Sequence, residues 1–120
     1  MKLTFLGTRG NIDARRSRHR MHSAMKVSYY AAEVVVDCGE DWLGEVGDWD
    51  VGAIVVTHAH PDHAFGLKQG APCLVYATEA AWETMDAFDI DERRRMPERE
   101  PVRIDRGDRS PGIEFEAFPV

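Results

Sequence analysis

Short apolar runs recur along this chain, and each run stops at a residue that favours a turn or a polar segment. KLTFL, at Lys2–Leu6, is a β-branched and aromatic run stopped by Gly7, which predicts a first strand. AMKVSYY and AEVVVD are two further β-rich runs separated by little more than a turn, so we expect a hairpin over Ala24–Asp37. AIVVT, at Ala53–Thr57, is a continuous apolar run that predicts a buried strand.

The spacing of the apolar residues changes after this fourth run. HAFGLKQ suits a short helix and CLVYA a buried strand, and TEAAWETMDAF predicts a helix that Thr78 opens as its N-cap. Helical spacing then places four apolar side chains on one face: Ala81, Trp82, Met85 and Phe88. A stripe of this kind is typical of a core-facing helix, so we interpret it as core rather than as a cofactor site.

Two stretches lack a usable apolar period. The first runs from Gly7 to His22 and holds five arginines, so we expect a long loop of the kind that is often functional or mobile. The second, DERRRMPEREP, is expected to be a solvated connection, followed by strands in VRI and GIEFEAF. Strands first, then strands alternating with helices, predict an α/β (α+β) fold with helices on one side of a sheet. GIEFEAFPV ends without a turn or cap, so we expect the 1–120 domain to be cut within an element.

Composition places the chain among soluble globular domains. With 43% hydrophobic residues it is too apolar for a disordered chain, and 120 residues suffice for one core. The longest apolar stretches fall far short of the roughly 20 residues that span a bilayer, and the N-terminus lacks the pattern of an export signal. We therefore expect a cytoplasmic protein without a membrane segment. Cys38 and Cys73 are too few for a disulfide framework, so both are expected to be reduced.

The formal net charge of −6 argues against general affinity for nucleic acid, but the charge is unevenly distributed. Residues 1–30 carry seven Lys or Arg against one acid, whereas the other 90 residues carry eight against 20. A nucleic-acid-binding module that uses the basic segment is therefore one hypothesis, which the acidic remainder disfavours.

Three of the five histidines lie within six residues, in the segment THAHPDH that follows the fourth predicted strand. In an extended segment residues i and i+2 project to the same side, so His58 and His60 can bind the same ion from the end of one strand. Pro61 keeps His60 out of the helical region and then turns the chain. Beyond that turn, Asp62 and His63 can face the same cleft from the start of the next helix.

Imidazole and carboxylate groups are donors that zinc prefers, although manganese or iron would also accept this mixed set. A catalytic zinc needs three protein ligands and an open position for water, so four ligands are too many for one open site and too few for two. The start of a helix disfavours imidazolium, which helps to keep His63 in the neutral form that metal binding requires. The alternative is a polar turn with solvated histidines, which suits a lone histidine better than a cluster.

The segment THAHPDH matches the His-x-His-x-Asp-His signature of the metallo-β-lactamase superfamily. FLGTRG and VVVDCGE resemble that superfamily's opening strand and first acidic motif, and similar openings occur in the branch of ribonuclease Z and small cyclic phosphodiesterases. The resemblance implies the N-terminal half of an αββα sandwich with a one- or two-metal centre. It also implies hydrolysis of a phosphodiester or other ester-like bond by a metal-bound hydroxide.

Carried over position by position, the resemblance assigns His58 and His60 to the first metal and Asp62 and His63 to the second. Asp62 would also orient the attacking water as a catalytic residue. Asp37 matches the first acidic motif, whose family role is to support the metal loops rather than to bind metal.

The family's third histidine, bridging aspartate and final histidine have no counterpart before Val120, and His19 and His22 match none of these positions. A metal-binding fragment or degenerate homologue without turnover is therefore the alternative to an enzyme. Half a sandwich would leave a sheet face and an edge strand uncovered, which predicts self-association or a missing C-terminal half.

The basic loop Arg9–Arg20 is a candidate for contact with a substrate phosphate, because guanidinium groups bind phosphate in a bidentate manner. The candidate contacts are Arg15, Arg16 and Arg18, and the alternative is an ordinary solvated loop. Cys38, beside the acidic motif, is interpreted as a small buried residue rather than a thiolate ligand.

Overall fold

The computed structural model describes residues 1–10, 21–105 and 111–119 and has a six-stranded sheet at its centre. The strands follow chain order across the sheet: β1 Lys2–Gly7, β2 Ala24–Tyr29, β3 Ala32–Val36, β4 Ala53–Val55, β5 Leu74–Ala77 and β6 Arg93–Arg95. β2 is antiparallel to both β1 and β3, and the strands from β3 to β6 are parallel. The first strand, the hairpin and the α/β class predicted from the sequence are confirmed.

Short helices and a second sheet complete the described residues. The helices are α1 Pro61–Ala64 and α2 Glu79–Thr84, with 3₁₀ turns at Glu40–Trp42, Val46–Asp48 and Phe65–Leu67. β7 Val102–Ile104 and β8 Ile113–Phe115 pair as a separate antiparallel sheet, which confirms the last two predicted strands. No helix in these ranges is both long enough and apolar enough to cross a membrane.

The six-stranded sheet is buried on both faces where β4 crosses it. Ile54 packs into one apolar cluster with Leu67 and Met85, on the face that the helices cover. Ala53 and Val55, which alternate with Ile54, belong instead to a second cluster that includes side chains of β7 and β8. Burial on both faces explains why the strand is apolar at every position rather than at every second one.

Helix α2 begins as the sequence predicts. The Thr78 hydroxyl accepts a hydrogen bond from the Ala81 amide, and Ala81 and Met85 are buried in the helix-side cluster. Trp82 and Phe88 pack against the same cluster, so the interpretation of this stripe as core is confirmed. The other predicted helix begins earlier than HAFGLKQ, at Pro61, because proline fixes a helical φ and leaves no unpaired N–H there.

Most of DERRRMPEREP is exposed, as expected, but the expectation of an irregular connection is wrong for Arg93–Arg95. Arg93–Arg95 form β6, which pairs in parallel with β5 at the edge of the sheet. The Arg93 guanidinium donates to the carbonyls of Ile90, Asp86 and Phe88 at 3.2, 3.1 and 2.6 Å. An edge strand needs one backbone partner rather than apolar side chains, and charged side chains there oppose pairing with another chain. This strand therefore has no hydrophobic signal in the sequence.

The opposite edge, β1, carries exposed apolar side chains, and we propose that it mediates self-association. Leu3 is 51% and Phe5 66% exposed, and both lie opposite residues of β2 that belong to the second cluster. Burying such side chains contributes about 1.5–3 kcal/mol each.

We expect sedimentation velocity to show concentration-dependent oligomers that a Leu3→Lys/Phe5→Lys variant lacks. Tyr30→Lys, which changes an equally exposed aromatic residue outside the strands, is the control. A monomeric wild-type chain would contradict this proposal.

Candidate metal centre

The histidine segment leaves β4 at the edge where the parallel strands end. His60 has extended backbone angles (φ −84°, ψ 156°), as the following proline predicts, and Pro61 opens α1. The amides of His63 and Ala64 donate to the His60 carbonyl at 3.0 and 2.9 Å, so the turn is closed by its own backbone. Asp62 and His63 therefore lie in the first turn of α1, where the sequence predicts them.

The side chains of this segment gather in one place. The ring centroid of His58 lies 4.5 Å from that of His60 and 4.1 Å from that of His63. Asp62 is buried, and its Oδ2 lies 3.2 Å from Nε2 of His63. The structure thus brings together the four residues predicted to bind metal, while their role as ligands stays a prediction.

Asp37 holds the segment through both of its carboxylate oxygens. Oδ1 accepts hydrogen bonds from the Thr57 amide at 2.8 Å and the Thr57 hydroxyl at 2.9 Å. Oδ2 lies 2.7 Å from Nδ1 of His63. The residue is buried with a left-handed φ of 67°, which aspartate adopts more readily than most residues. Because the Thr57 amide is bound to Asp37, β4 ends at Val55 and does not reach Thr57 as predicted.

These contacts determine which imidazole nitrogens carry protons. An ionised carboxylate only accepts, so both the Thr57 hydroxyl and Nδ1 of His63 donate to Asp37. The Thr57 oxygen is then left to accept from Nδ1 of His58, at 3.0 Å. In its neutral form each imidazole therefore carries its proton on Nδ1 and its lone pair on Nε2, the nitrogen that a metal ion would take. This is the arrangement in which an outer carboxylate fixes the tautomer of metal-binding histidines.

The pKa of His58 also favours the neutral imidazole that binds metal. Partial desolvation of its ring lowers the pKa of His58 below the ordinary value, and the nearby His63 and His60 lower it further when they are charged. A histidine with a lowered pKa stays neutral to more acidic pH, and only neutral imidazole binds metal.

The donor set fits a divalent cation in its chemistry but does not form a complete shell. The Nε2 lone pair of His63 and the Oδ2 of Asp62 face each other at 3.2 Å, and two acceptors at that distance repel unless a cation or a proton lies between them. However, no three His, Cys, Asp or Glu side chains in residues 1–10, 21–105 and 111–119 are arranged to hold one ion together. The four residues would therefore need further donors or a rearrangement of side chains.

A cavity of about 350 Å³ adjoins the segment, between His58, His60, α2 and the exposed ring of Phe118. Two larger pockets, of about 500 and 460 Å³, contain none of the four clustered residues. Of these three cavities, the smaller one is the relevant one, because it contacts two of the predicted ligands, His58 and His60.

His22 and Cys38, which sequence analysis excluded as ligands, are both buried. Nδ1 of His22 accepts from the Asp41 amide at 3.1 Å, so in the neutral ring Nε2 carries the proton and cannot bind metal. Cys38 packs against Gly66, and burial raises the pKa of its thiol far above the ordinary value. The interpretation of Cys38 as an ordinary buried residue is confirmed.

Arg15, Arg16, Arg18 and His19 lie outside the described residues, so the phosphate hypothesis for these arginines stays a prediction. Arg9, the first arginine of the basic loop, is only 5% exposed, and its Nη2 lies 2.5 Å from Oδ2 of Asp41. Arg9, which is not one of the three candidate contacts, is thus buried with its guanidinium bound to a carboxylate.

Two contributing residues were missed in the sequence. Thr57 stands between the apolar run and the first histidine, and its hydroxyl, both a donor and an acceptor, is the signal that it links the acidic motif to His58. Asp41 has no such local signal, because its partners Arg9 and His22 are 32 and 19 residues away.

Comparison with known proteins agrees with this geometry. The metallo-beta-lactamase superfamily profile matches residues 31–117. Ribonuclease Z of Clostridioides difficile is 36% identical over 70 residues, which are 54% of this chain and 22% of that protein. Ribonuclease Z of Methanopyrus kandleri is 33% identical over 112 residues, covering 82% of this chain and 38% of the relative.

The fold also resembles that of solved structures. The metallo-beta-lactamase fold protein YhfI of Bacillus subtilis superposes with a TM-score of 0.59 at 16% identity, over 83% of this chain and 47% of that chain. The chain spans less than half the length of each of these three proteins. The family profile, the relatives and the shared fold agree on one conclusion: this chain belongs to the metallo-beta-lactamase superfamily.

Proposed function

We propose that this chain carries the metal-binding motif of a hydrolase that cleaves a phosphodiester or other ester-like bond. The observation that supports it most directly is the Asp37 network, which directs Nδ1 of His58 and His63 into hydrogen bonds and leaves Nε2 of each ring as the nitrogen that can bind a metal, with the Asp62 carboxylate 3.2 Å from Nε2 of His63. The substrate class rests on the curated relatives, whose name, ribonuclease Z, denotes cleavage of the phosphodiester bonds of RNA.

Each residue has a distinct role in this proposal. His58 and His60 would hold the first ion, Asp62 and His63 the second, and zinc is preferred over manganese or iron on ligand chemistry. A bound divalent ion supplies the acidity that lets water act as a nucleophile near neutral pH. Asp62 would orient that water, and Asp37 would keep the imidazoles in the required tautomer.

The test is hydrolysis of bis-p-nitrophenyl phosphate by the purified chain. We expect slight turnover, because each proposed ion has only two of these donors, and we expect EDTA to abolish it and zinc to restore it. Asp62→Asn should lower the rate while leaving the circular dichroism spectrum unchanged. Hydrolysis that EDTA does not affect would contradict a metal-dependent reaction.

The second candidate is a metal-binding protein without turnover. It is favoured by the lack, among the described side chains, of three donors arranged around one ion. Stoichiometric zinc binding without hydrolysis above the uncatalysed rate would select this candidate over the enzyme.

Asp37→Asn tests whether the negative charge of Asp37 is needed to hold the imidazoles for metal binding. Asparagine tolerates a left-handed backbone, and its Oδ1 still accepts from the Thr57 amide, but the carboxylate that accepts from His63 is lost. We expect zinc affinity to fall by about 10–100-fold, the range typical of outer-shell changes. The free energy of unfolding should fall by about 1–3 kcal/mol, because the amide NH2 would face the Nδ1–H of His63. Competition with a chromophoric chelator measures the affinity, and Asp86→Asn removes an equal charge from an exposed site as the control. Unchanged affinity in Asp37→Asn would contradict the support role.

The basic loop gives a separate prediction about substrate binding. If Arg15, Arg16 and Arg18 receive phosphate, replacing them with glutamine should weaken binding of an anionic inhibitor by roughly tenfold at low salt. The salt dependence of binding should also become flatter, because charge steering is screened by ions. The matched control replaces three exposed arginines from other segments of the sequence: Arg94, Arg95 and Arg103. Equal binding and an equal salt dependence in the wild type and the loop variant would indicate that the loop is an ordinary solvated surface.

A further inference from the structure

A partly buried ion pair lies near the histidine segment, and the proposed function does not use it. Arg9 and Asp41 contact each other with side chains that are 5% and 10% exposed. Burial opposes ionisation of Asp41, but the hydrogen bonds from Arg9 and the His22 backbone hold the pKa of this carboxyl below its ordinary value. The pair is therefore charged in a partly desolvated position, where an ion pair adds little net stability and can instead fix one arrangement of the chain.

Asp41 joins three separate segments of the chain. Its Oδ2 accepts from the His22 amide at 2.9 Å, and its own amide donates to Nδ1 of His22 at 3.1 Å. The indole Nε1 of the next residue, Trp42, donates to the His22 carbonyl at 2.9 Å. The Arg9 amide donates to the Met21 carbonyl at 2.8 Å, so residues 9 and 21 are bonded directly. The 3₁₀ turn at Glu40–Trp42 therefore fixes both the end of β1 and the segment that enters β2.

The segment fixed in this way is bonded to Asp62. The Ser23 amide donates to the Asp62 carbonyl at 3.2 Å, and the Gly39 amide donates to the Ser23 carbonyl at 3.2 Å. A Cβ atom built on Gly10 would lie 3.8 Å from Oδ2 of Asp62, so the chain that leaves Arg9 passes beside the carboxylate itself. Asp62 is thus held at its backbone by residue 23 and approached at its side chain by residue 10.

We propose that Asp41 is a positioning residue for Asp62. Through Arg9 and His22 it fixes the two backbone segments that contact Asp62, and so sets where the carboxylate stands relative to the histidines. The role in metal binding rests on the proposed function, whereas the effect on the backbone does not. The hydrogen bonds of Asp41 described above are with Arg9 and His22, so it acts on Asp62 through the segments that carry these residues.

Cobalt binding by the 120-residue chain provides one test, because the visible spectrum of Co²⁺ reports the geometry of its ligands. Asp41→Ala removes the carboxylate, while Asp41→Asn keeps an acceptor for the His22 amide and should be milder if the alanine variant fails to fold. Glu40→Ala is the matched control, since Glu40 lies in the same turn and its side chain forms an exposed pair with Lys68. A second readout, independent of metal, is the hydrogen exchange of the Ser23 amide.

We expect Asp41→Ala to weaken Co²⁺ binding by about 10–100-fold, to change the Co²⁺ spectrum and to speed Ser23 exchange by at least about tenfold. Asp41→Asn should give the same changes at smaller size, and Glu40→Ala none. A folded Asp41 variant with wild-type Co²⁺ affinity and spectrum overturns the positioning role, even if its melting temperature falls. If the wild-type chain takes up no Co²⁺, the proposed function fails instead, and Asp41 is judged on exchange alone: an unchanged Ser23 rate overturns it.

Discussion

Replacing both His58 and His60 with alanine is expected to remove the most tightly bound divalent ion from the protein. These side chains have adjacent rings, and the network through Thr57 leaves the ligating nitrogen of His58 free. Loss of ligands should weaken binding by more than the roughly 10–100-fold that outer-shell changes cause. Elemental analysis after incubation with zinc and desalting should find an ion in the wild-type chain and less than a tenth of one in the double variant.

The fold should survive this change, because both histidines are exposed and contribute nothing to either apolar cluster. Circular dichroism and the denaturation midpoint are therefore expected to match the wild type. Glu79→Ala/Glu83→Ala, which removes two exposed acids from α2, is the control for adventitious surface binding and should keep its ion. Equal metal content in the wild type and the double histidine variant would show that the ligands lie elsewhere.

Replacing Gly39 with alanine is expected to produce the largest loss of stability of any single change proposed for this chain. A Cβ atom at this position would lie 2.2 Å from the Cβ of His22 and 2.3 Å from the backbone oxygen of Asp62. Overpacking in a core typically costs about 1–3 kcal/mol. Here the clashing atoms belong to or adjoin the backbone and cannot turn aside, so we expect about 3 kcal/mol or more in the free energy of unfolding.

Gly47→Ala is the matched control, because a Cβ atom there would have no neighbour within 4 Å. Its unfolding free energy should lie within about 0.5 kcal/mol of the wild-type value, as for ordinary surface substitutions. Urea denaturation of the two variants beside the wild type measures the difference. A Gly39→Ala variant as stable as Gly47→Ala would mean that the segments carrying His22 and Asp62 can separate at little cost. That result would also weaken the case that residues 21–23 determine the position of Asp62.

Much of the fold could be predicted because its signals are local. The apolar run at Ala53–Thr57, the Thr78 cap and the spacing of Ala81 and Met85 each specify an element from neighbouring residues alone. β6 could not be predicted in this way. Its arginines follow no strand pattern, and their place at the sheet edge depends on backbone pairing with β5 and on carbonyls bound by Arg93.

The same distinction between local signals and long-range contacts applies to the candidate site. The sequence by itself determined that His58, His60, Asp62 and His63 come together, since two-residue alternation, a proline turn and a helix start act over six residues. Only the tertiary structure decided how they are held. Asp37 reaches His63 across 26 positions and Thr57 across 20, while Asp41 joins Arg9 to His22 from further along the chain. Contacts at such separations depend on how the strands are ordered and packed, and no local period or spacing in the sequence encodes them.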